Sequence, residues 1–289
     1  GVTGTIKMGG ADASTGKGIG VSNELDFTAN GELDNGYTWK WQTQLDDAGT
    51  VNDDTRLEVA TPNGTVAMYV SEGDTKSVLG YGIGAMGVGS DYTGPMTVIW
   101  GYGMNSYNNV QYHTPSGMLP MDTMVKLAYS PNLSNAAGAS AKADGAHETN
   151  TIGDSAEAIH IKSSPIDGLT VAADYMTHGN GPSTAKYDQS SGAASIKYTT
   201  GPVSVGLARS GVQPLLLEAN ATSGTITYET DFYGIQFAVN DALSVSYSEE
   251  KSRKRTSAVM AAGGTITNAT EVEAEISHYQ AAYTIGGAT

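Results

Sequence analysis

Cysteine and histidine, which carry much of enzyme chemistry, are absent or few in this chain, and the histidines are widely spaced. The chain has no cysteine, which excludes disulfides and thiolate metal sites. The histidines show neither the order of a Ser–His–Asp triad nor the HxxxH spacing of a helical metal site; they are His113, His147, His160, His178 and His278. We therefore expect no catalytic residue, no cofactor and a protein that is not an enzyme.

Two short stretches resemble ligand-binding loops but lack the context that such loops need. The glycine-rich run "GYGIGAMGVG" contains a GxGxxG match at 82–87. This motif binds dinucleotides only between a strand and a helix, and no helical pattern follows it here. The acidic stretch 45–54, "LDDAGTVNDD", offers hard oxygen ligands for Ca²⁺, although its spacing is not that of an EF-hand. A structural Ca²⁺ and a solvated acidic loop are both kept as interpretations of 45–54.

The charge of the chain argues against nucleic acid as a partner. The formal net charge is -15, from 15 basic and 30 acidic residues. Proteins that neutralise phosphates need a basic surface, which this composition does not supply. The single basic cluster is "KSRKR" at 251–255, which we expect to be a solvated loop.

Alternation of apolar and polar residues predicts an all-β protein. Short turns rich in Gly, Pro, Asn and Asp alternate with long connections along the chain, a rhythm typical of an up-and-down transmembrane β-barrel. Changes of phase near Asp231 and His278 predict β-bulges. The fourteen predicted strands span 2–8, 20–29, 37–45, 54–61, 65–71, 109–114, 122–130, 155–163, 169–177, 193–200, 203–209, 225–238, 243–248 and 271–285.

The two faces of the predicted strands differ sharply in polarity. Trp39 and Trp41 share one face of their strand, whereas Lys40 and Gln42 share the other. The polar faces carry too many charges for a dry core and suit a water-filled lumen. A soluble sandwich would show the same periodicity, but the rhythm of the connections favours the membrane barrel.

The longest connection, 72–108, lies between two segments with a familiar pattern. It follows "DDTRLEVATPNGTVAMYVSEGD" and precedes "SYNNVQYHTP". With the later segments "ETDFYGIQFAVNDALSVSYSEE" and "ISHYQAAYTIGGA", these resemble the general diffusion porins of Gram-negative, alphaproteobacterial-like outer membranes. The resemblance spans nearly the whole chain and is most specific from Thr55 to Pro115. It implies one domain, 1–289, forming a sixteen-stranded antiparallel barrel in the cell outer membrane, with 72–108 folded inward as the third loop.

The resemblance also implies a charged constriction of the pore. In this family, acidic residues on the inward loop face basic residues on the opposite wall. The matching residues are Glu72, Asp74 and Asp91 on the loop side, and Lys7, Lys40, Arg56 and Lys126 on the wall side. The family clusters arginines on the wall, whereas this chain relies mostly on lysine. With the net charge of -15, we expect weak cation selectivity.

The last residues, "YTIGGAT", resemble a turn, although barrels of this family end on a strand with a terminal aromatic residue. We therefore expect about fourteen of the sixteen strands in this chain, with the C-terminal hairpin missing from it. A native fourteen-stranded barrel, also an even number, is the alternative.

The function expected from this resemblance is passive diffusion of small hydrophilic solutes and ions. The expected partners are two further copies in a homotrimer, outer-membrane lipid and lipopolysaccharide. Two alternatives stay open: a surface structural or adhesive β-protein, and a substrate-selective channel with a saturable sugar site. Aromatic residues of the loop would form that site, unless they only pack the loop against the barrel; they are Tyr81, Tyr92, Trp100, Tyr102 and Tyr107.

Overall fold

The computed structural model describes the residues 6–7, 20–21, 25–45, 51–70, 72–75, 103–104, 108–131, 155–178, 185–187, 189–213, 216–217, 226–260 and 266–284. These residues form one thirteen-stranded antiparallel sheet and three separate two-stranded ribbons. One turn of 3-10 helix, Pro120–Asp122, lies in the connection between His113 and Met124. Within these ranges, no helix has the length and apolar character needed to cross a membrane.

The strands follow one another along the chain. They are β1 (Ile6–Lys7), β2 (Gly20–Val21), β3 (Leu25–Glu32), β4 (Thr38–Leu45), β5 (Val51–Thr61), β6 (Gly64–Val70), β7 (Asn109–His113), β8 (Met124–Ser130), β9 (Ala156–Ser163), β10 (Leu169–His178), β11 (Ala185–Tyr187), β12 (Gln189–Thr200), β13 (Val203–Gln213), β14 (Leu216–Leu217), β15 (Ile226–Ala238), β16 (Leu243–Thr256), β17 (Val259–Met260), β18 (Ile266–Thr267) and β19 (Thr270–Tyr283).

The main sheet is an up-and-down meander, which confirms the predicted fold class. From β3 to β19, each of its strands pairs with the next main-sheet strand along the chain; the ribbons are β1–β2, β11–β14 and β17–β18. The tight turns need glycine at specific points. At Gly168 φ is +76°, and an added Cβ would lie 2.2 Å from the carbonyl oxygen of Thr199. This turn therefore excludes other residues both by its backbone conformation and by its space.

The two faces of the main sheet carry different side chains. On one face, here called the apolar face, large hydrophobic side chains are exposed; they include Phe27, Trp41, Met68, Val110, Leu127, Ile161, Val171, Ile196, Leu207, Ile235, Val245 and Tyr279. The opposite face, here called the polar face, carries buried or half-buried polar residues such as Gln111, His160, Ser210 and Ser248. This arrangement is the reverse of a soluble sheet, which buries its apolar face.

At the N-terminal end, the structure describes parts of two predicted strands. Of the predicted strand 2–8, only Ile6–Lys7 is described, and it pairs with Gly20–Val21 in a separate ribbon. Thirteen strands, rather than fourteen, therefore form the main sheet in the described part of the chain. The predicted strand 20–29 is divided between β2 and β3.

Two predictions fail in the last three long strands. The cluster 251–255 is not a loop, because β16 continues to Thr256. No bulge occurs at Asp231 or His278, since β15, β16 and β19 pair in uninterrupted register. The change of phase near Asp231 has another cause: on the apolar face, the start of β15 carries Glu229 and Asp231, whereas its later part carries Tyr233 and Phe237. A register shift occurs instead between β4 and β5, at Gln42–Leu45.

Charged side chains cross four strands on the apolar face, beyond its hydrophobic residues and towards the long connections. We call this group the ion-pair ladder. Arg253 lies at its centre, 3.0 Å from Asp231 and 3.3 Å from Glu273. Arg255 contacts Glu229 at 2.9 Å and Glu271 at 2.8 Å. The ladder consists of Arg209, Glu229, Asp231, Lys251, Arg253, Arg255, Glu271, Glu273 and Glu275.

Candidate functional site

Both described ends of the long connection 72–108 lie against the polar face of the sheet. Thr75 is 2% exposed and Met104 is 0% exposed. Met104 belongs to a buried cluster whose other members come from four wall strands: Ala128, Ala156, Ala158, Met176 and Val212. Three of these five side chains are alanines, which leave room over β8 and β9 for the Met104 side chain. Near its end, the connection therefore packs through Met104 against a small apolar patch of the polar face.

Two residues predicted on opposite sides of a constriction meet where the connection begins. Arg56, on β5, lies with its Nη1 atom 3.3 Å from Oε1 of Glu72. Its Nη2 atom donates to Oε1 of Gln42, on β4, at 2.7 Å. Cross-strand register places Gln42, Arg56 and Tyr69 side by side on the polar face. The hydroxyl of Tyr69 donates to Glu58 at 3.0 Å, which extends this charged row along β5.

Side-chain amides of β7 hold the backbone of the connection. Nδ2 of Asn109 donates to the carbonyl oxygen of Glu72 at 3.0 Å and to that of Met104 at 3.2 Å. Nε2 of Gln111 donates to the carbonyl oxygen of Gly73 and, at 2.9 Å, to Oδ1 of Asn109. These bonds bring the start and the end of the connection to one place on the wall.

A second row on the polar face combines a lysine with two histidines. Register pairs Lys126 of β8 with His113 of β7 and with His160 of β9. His160 is 1% exposed, and His113 stacks on Tyr69 with ring centroids 6.4 Å apart. The two histidines were not among the predicted site residues. Their positions on the polar sides of β7 and β9 were the signal that could have identified them.

The remaining predicted site residues are placed as follows. Lys40 lies on the polar face of β4, directly opposite Glu58 of β5. Asp74 is half-buried next to the start of the connection. Lys7 belongs to the β1–β2 ribbon, and its side chain lies outside the described part of the structure. Asp91 lies outside the described residues, as do Tyr81, Tyr92, Trp100, Tyr102 and Tyr107.

The stretch 45–54, predicted as a Ca²⁺ site or a solvated loop, lies largely outside the described residues. Its residues 46–50, and the side chains of 45 and 51–54, are not described. In the ranges that are described, no group of three or more His, Cys, Asp or Glu side chains is placed to hold a metal ion.

Comparison with known proteins finds matches to the structure of the chain but none to its sequence. No protein-family model matches it, and no curated protein does. An anion-selective porin from Comamonas acidovorans matches with a TM-score of 0.51 and 11% identity, over 91% of this chain and 92% of that chain. The trimer form of OmpT, an outer membrane protein of Vibrio cholerae, matches with a TM-score of 0.50 and 13% identity, again over 91% and 92%.

Identities this low establish the fold and leave function to be argued from the residues. The matches cover most of both chains, and the solved structures share the antiparallel all-β architecture described above. The chain therefore has the fold of the bacterial porins.

Proposed function

We propose that this protein is a passive channel of the bacterial outer membrane, through which small hydrophilic solutes and ions diffuse. The apolar face contacts lipid, and the polar face lines a water-filled pore. This division is supported by the exposed side chains of the apolar face, such as Leu127 and Leu207, which are 46% and 53% exposed. Exposed hydrophobic residues on this scale need an apolar partner, which a bilayer supplies.

The observation that carries the proposal is that Met104 packs against side chains of the polar face, while Glu72 and Gly73 are hydrogen-bonded to residues of the same face. A loop that covered only the mouth of a barrel would not be anchored at both ends on its inner wall. We infer that the connection 72–108 narrows the pore, because a barrel of about sixteen strands otherwise leaves a wide aqueous channel.

We propose that the charged groups of the constriction lie at the start of the connection 72–108 and on the neighbouring strands of the polar face. We propose Glu72, Asp74 and Asp91 for the loop side, and Lys7, Lys40, Arg56 and Lys126 for the wall. Rings of charge at a narrow point select ions by sign. Weak cation selectivity, expected from the net charge of -15, remains the proposal.

The proposed assembly is a homotrimer. Its apolar faces contact outer-membrane lipid, and lipopolysaccharide surrounds the end with the long connections. A Ca²⁺ ion in 45–54 would be structural, since carboxylate oxygens suit this hard cation. No reaction is assigned to the protein.

Planar-bilayer recording of the detergent-extracted protein in a KCl gradient tests the proposal. We expect stepwise, ohmic conductance in triplets that sugars do not saturate, with a reversal potential that shows a small preference for K⁺. Saturation by sugars would identify a substrate-selective channel. Absence of channels from a folded oligomer would overturn the transport function, and partition into detergent-free buffer would favour an adhesive or structural protein.

A further inference from the structure

We propose that Asn109 and Gln111 form a clasp that fixes the position of the long connection 72–108 against the wall. Both residues belong to β7, the strand that follows the connection. They are 3% and 2% exposed, although each carries a polar amide. A buried amide is retained only where its hydrogen bonds are made, so their partners indicate their role. The inference deepens the proposed function, because it assigns the residues that position the constriction.

The clasp joins two points of the chain that are far apart in sequence. One amide group, Nδ2 of Asn109, bonds both the carbonyl oxygen of Glu72 and that of Met104. The outgoing and returning arms of the connection are therefore tied to the same atom. Oγ of Ser130, on β8, adds a bond to the carbonyl oxygen of Asn108 at 2.9 Å. Because both arms are fixed at one point, the two ends of the connection share a defined place on the polar face.

Gln111 extends the clasp to the next residue of the outgoing arm. Its Nε2 atom bonds the carbonyl oxygen of Gly73 as well as Oδ1 of Asn109, and its Oε1 atom lies 2.8 Å from Nε2 of His113. The chain of contacts from His113 through Gln111 to Asn109 holds each amide in one orientation. A chain of this kind is more rigid than an isolated hydrogen bond.

Gly73 is shaped to fit the clasp. Its φ is +84°, a conformation that favours glycine. An added Cβ would lie 2.5 Å from Cδ2 of Tyr69 and 2.7 Å from Nε2 of Gln111. A side chain at this position would therefore push the outgoing arm away from the two residues that hold it.

The first test compares Asn109→Asp with Asn240→Asp. Asn109→Asp replaces the donating amide with a carboxylate that faces two carbonyl oxygens. Asn240→Asp adds the same charge in a short turn, where the side-chain oxygen that the substitution retains accepts from the amides of Ala242 and Leu243. Hydrogen–deuterium exchange should become about tenfold faster or more at 72–75 and 103–104 in Asn109→Asp and should not change there in Asn240→Asp. Equal exchange in the two variants would overturn the clasp.

A second pair of variants covers the case in which Asn109→Asp does not fold. Gly73→Ala and Gly117→Ala both place alanine at a positive φ, of +84° and +77° respectively, but nothing lies within 4 Å of the added Cβ at Gly117. We expect faster exchange at 72–75 in Gly73→Ala only. If Gly73→Ala exchanges there like Gly117→Ala, the close fit of Gly73 has no positioning role and the clasp is rejected.

Single-channel recording then separates the clasp from the channel function. Released arms should increase the noise of the open-channel current in Asn109→Asp relative to Asn240→Asp. If wild-type protein conducts and the exchange data support the clasp, an unchanged noise level shows that the clasp does not position the constriction. If wild-type protein does not conduct, the proposed function fails, whereas the exchange measurements still decide the clasp.

Discussion

Arg56 and Glu72 form an ion pair between the polar face and the start of the long connection, with 3.3 Å between their charged atoms. Their side chains are 24% and 22% exposed, so the pair is neither dry nor fully solvated. A pair of this kind contributes little to stability. Its position at the proposed constriction makes permeation the property that it should control.

Removing the positive charge of this pair and removing its negative charge should shift the ion selectivity in opposite directions. Arg56→Gln removes a cation from the pore and should raise the permeability of K⁺ relative to Cl⁻ about twofold, because one unit charge at contact distance in water is worth about 1 kcal/mol before screening. Glu72→Gln should lower the ratio by a similar factor. Reversal potentials in a KCl gradient measure both changes.

Glu249→Gln is the matched control for the selectivity measurement. Glu249 is on the apolar face, where it accepts a hydrogen bond from the hydroxyl of Tyr247 at 2.7 Å. The substitution removes one negative charge but none from the pore, so the reversal potential should not move. The double variant Arg56→Gln/Glu72→Gln should return close to the wild-type value. A shift in Glu249→Gln equal to that in Glu72→Gln would mean that net charge, rather than the pair, sets selectivity.

The ion-pair ladder joins strands β13, β15, β16 and β19 beyond the hydrophobic residues of the apolar face, a region here called the apolar band. Arg253 lies within 4 Å of three carboxylates and is 18% exposed, whereas Arg255, at the rim, is 44% exposed. Asp231, 5% exposed, is shared between Arg253 and Arg209. The ladder thus has a shielded centre and a solvated edge.

Arg253→Met should destabilise the protein by about 1–3 kcal/mol, because it removes charge-assisted hydrogen bonds at a shielded position. Arg255→Met should destabilise the protein less than Arg253→Met does, as expected for a solvated ion pair. Urea unfolding of the refolded protein in detergent micelles measures both. Equal effects of the two substitutions would show that the centre of the ladder is no better shielded than its edge.

The ion-pair ladder also explains why the alternation of the sequence predicts some strands well but misses the end of β16. Within the apolar band, β4 and β13 alternate cleanly, and their position on the sheet follows from that alternation. Beyond the band, both faces of β16 are polar: Arg253 and Arg255 point to one side, and Ser252 and Lys254 to the other. The alternation disappears there, so 251–255 looks like a loop. The acids that pair with it come from β15 and β19, and local pattern does not reveal such cross-strand partners.

The candidate site was only partly predictable for a similar reason. Arg56 and Glu72 could be proposed because the resemblance to porins implies an acidic loop that faces a basic wall, and both residues lie in the best-matching segment, Thr55 to Pro115. Asn109 and Gln111 could not, since an amide on a strand has no distinctive spacing. Their role depends on the backbone carbonyls of Glu72 and Met104, which reach them only through the tertiary fold.

At the scale of the whole molecule, the two faces of the sheet should respond differently to the same charged residue. Ile196 and Ser195 are neighbours on β12, but Ile196 is on the apolar face and 43% exposed, whereas Ser195 is on the polar face. If the apolar face contacts lipid, Ile196→Arg should destabilise the folded protein in lipid vesicles by about 2–4 kcal/mol. Ser195→Arg should have a much smaller effect, because water solvates the charge.

Urea unfolding in vesicles of defined thickness measures this difference. Both variants introduce the same side chain one residue apart, so the added residue and its charge are matched. A partly exposed isoleucine that faced water would also tolerate arginine. Equal costs of Ile196→Arg and Ser195→Arg would therefore contradict contact between the apolar face and lipid.

If the apolar face contacts lipid as proposed, the ion-pair ladder has a mechanical consequence. Nine charged side chains on four strands form a boundary that the hydrocarbon cannot cross, since a charge in that region costs several kcal/mol. The immersion depth of this side of the barrel is thereby fixed. A thicker or thinner membrane cannot be accommodated by vertical sliding of the protein, so the lipids next to β13–β19 must stretch or compress instead.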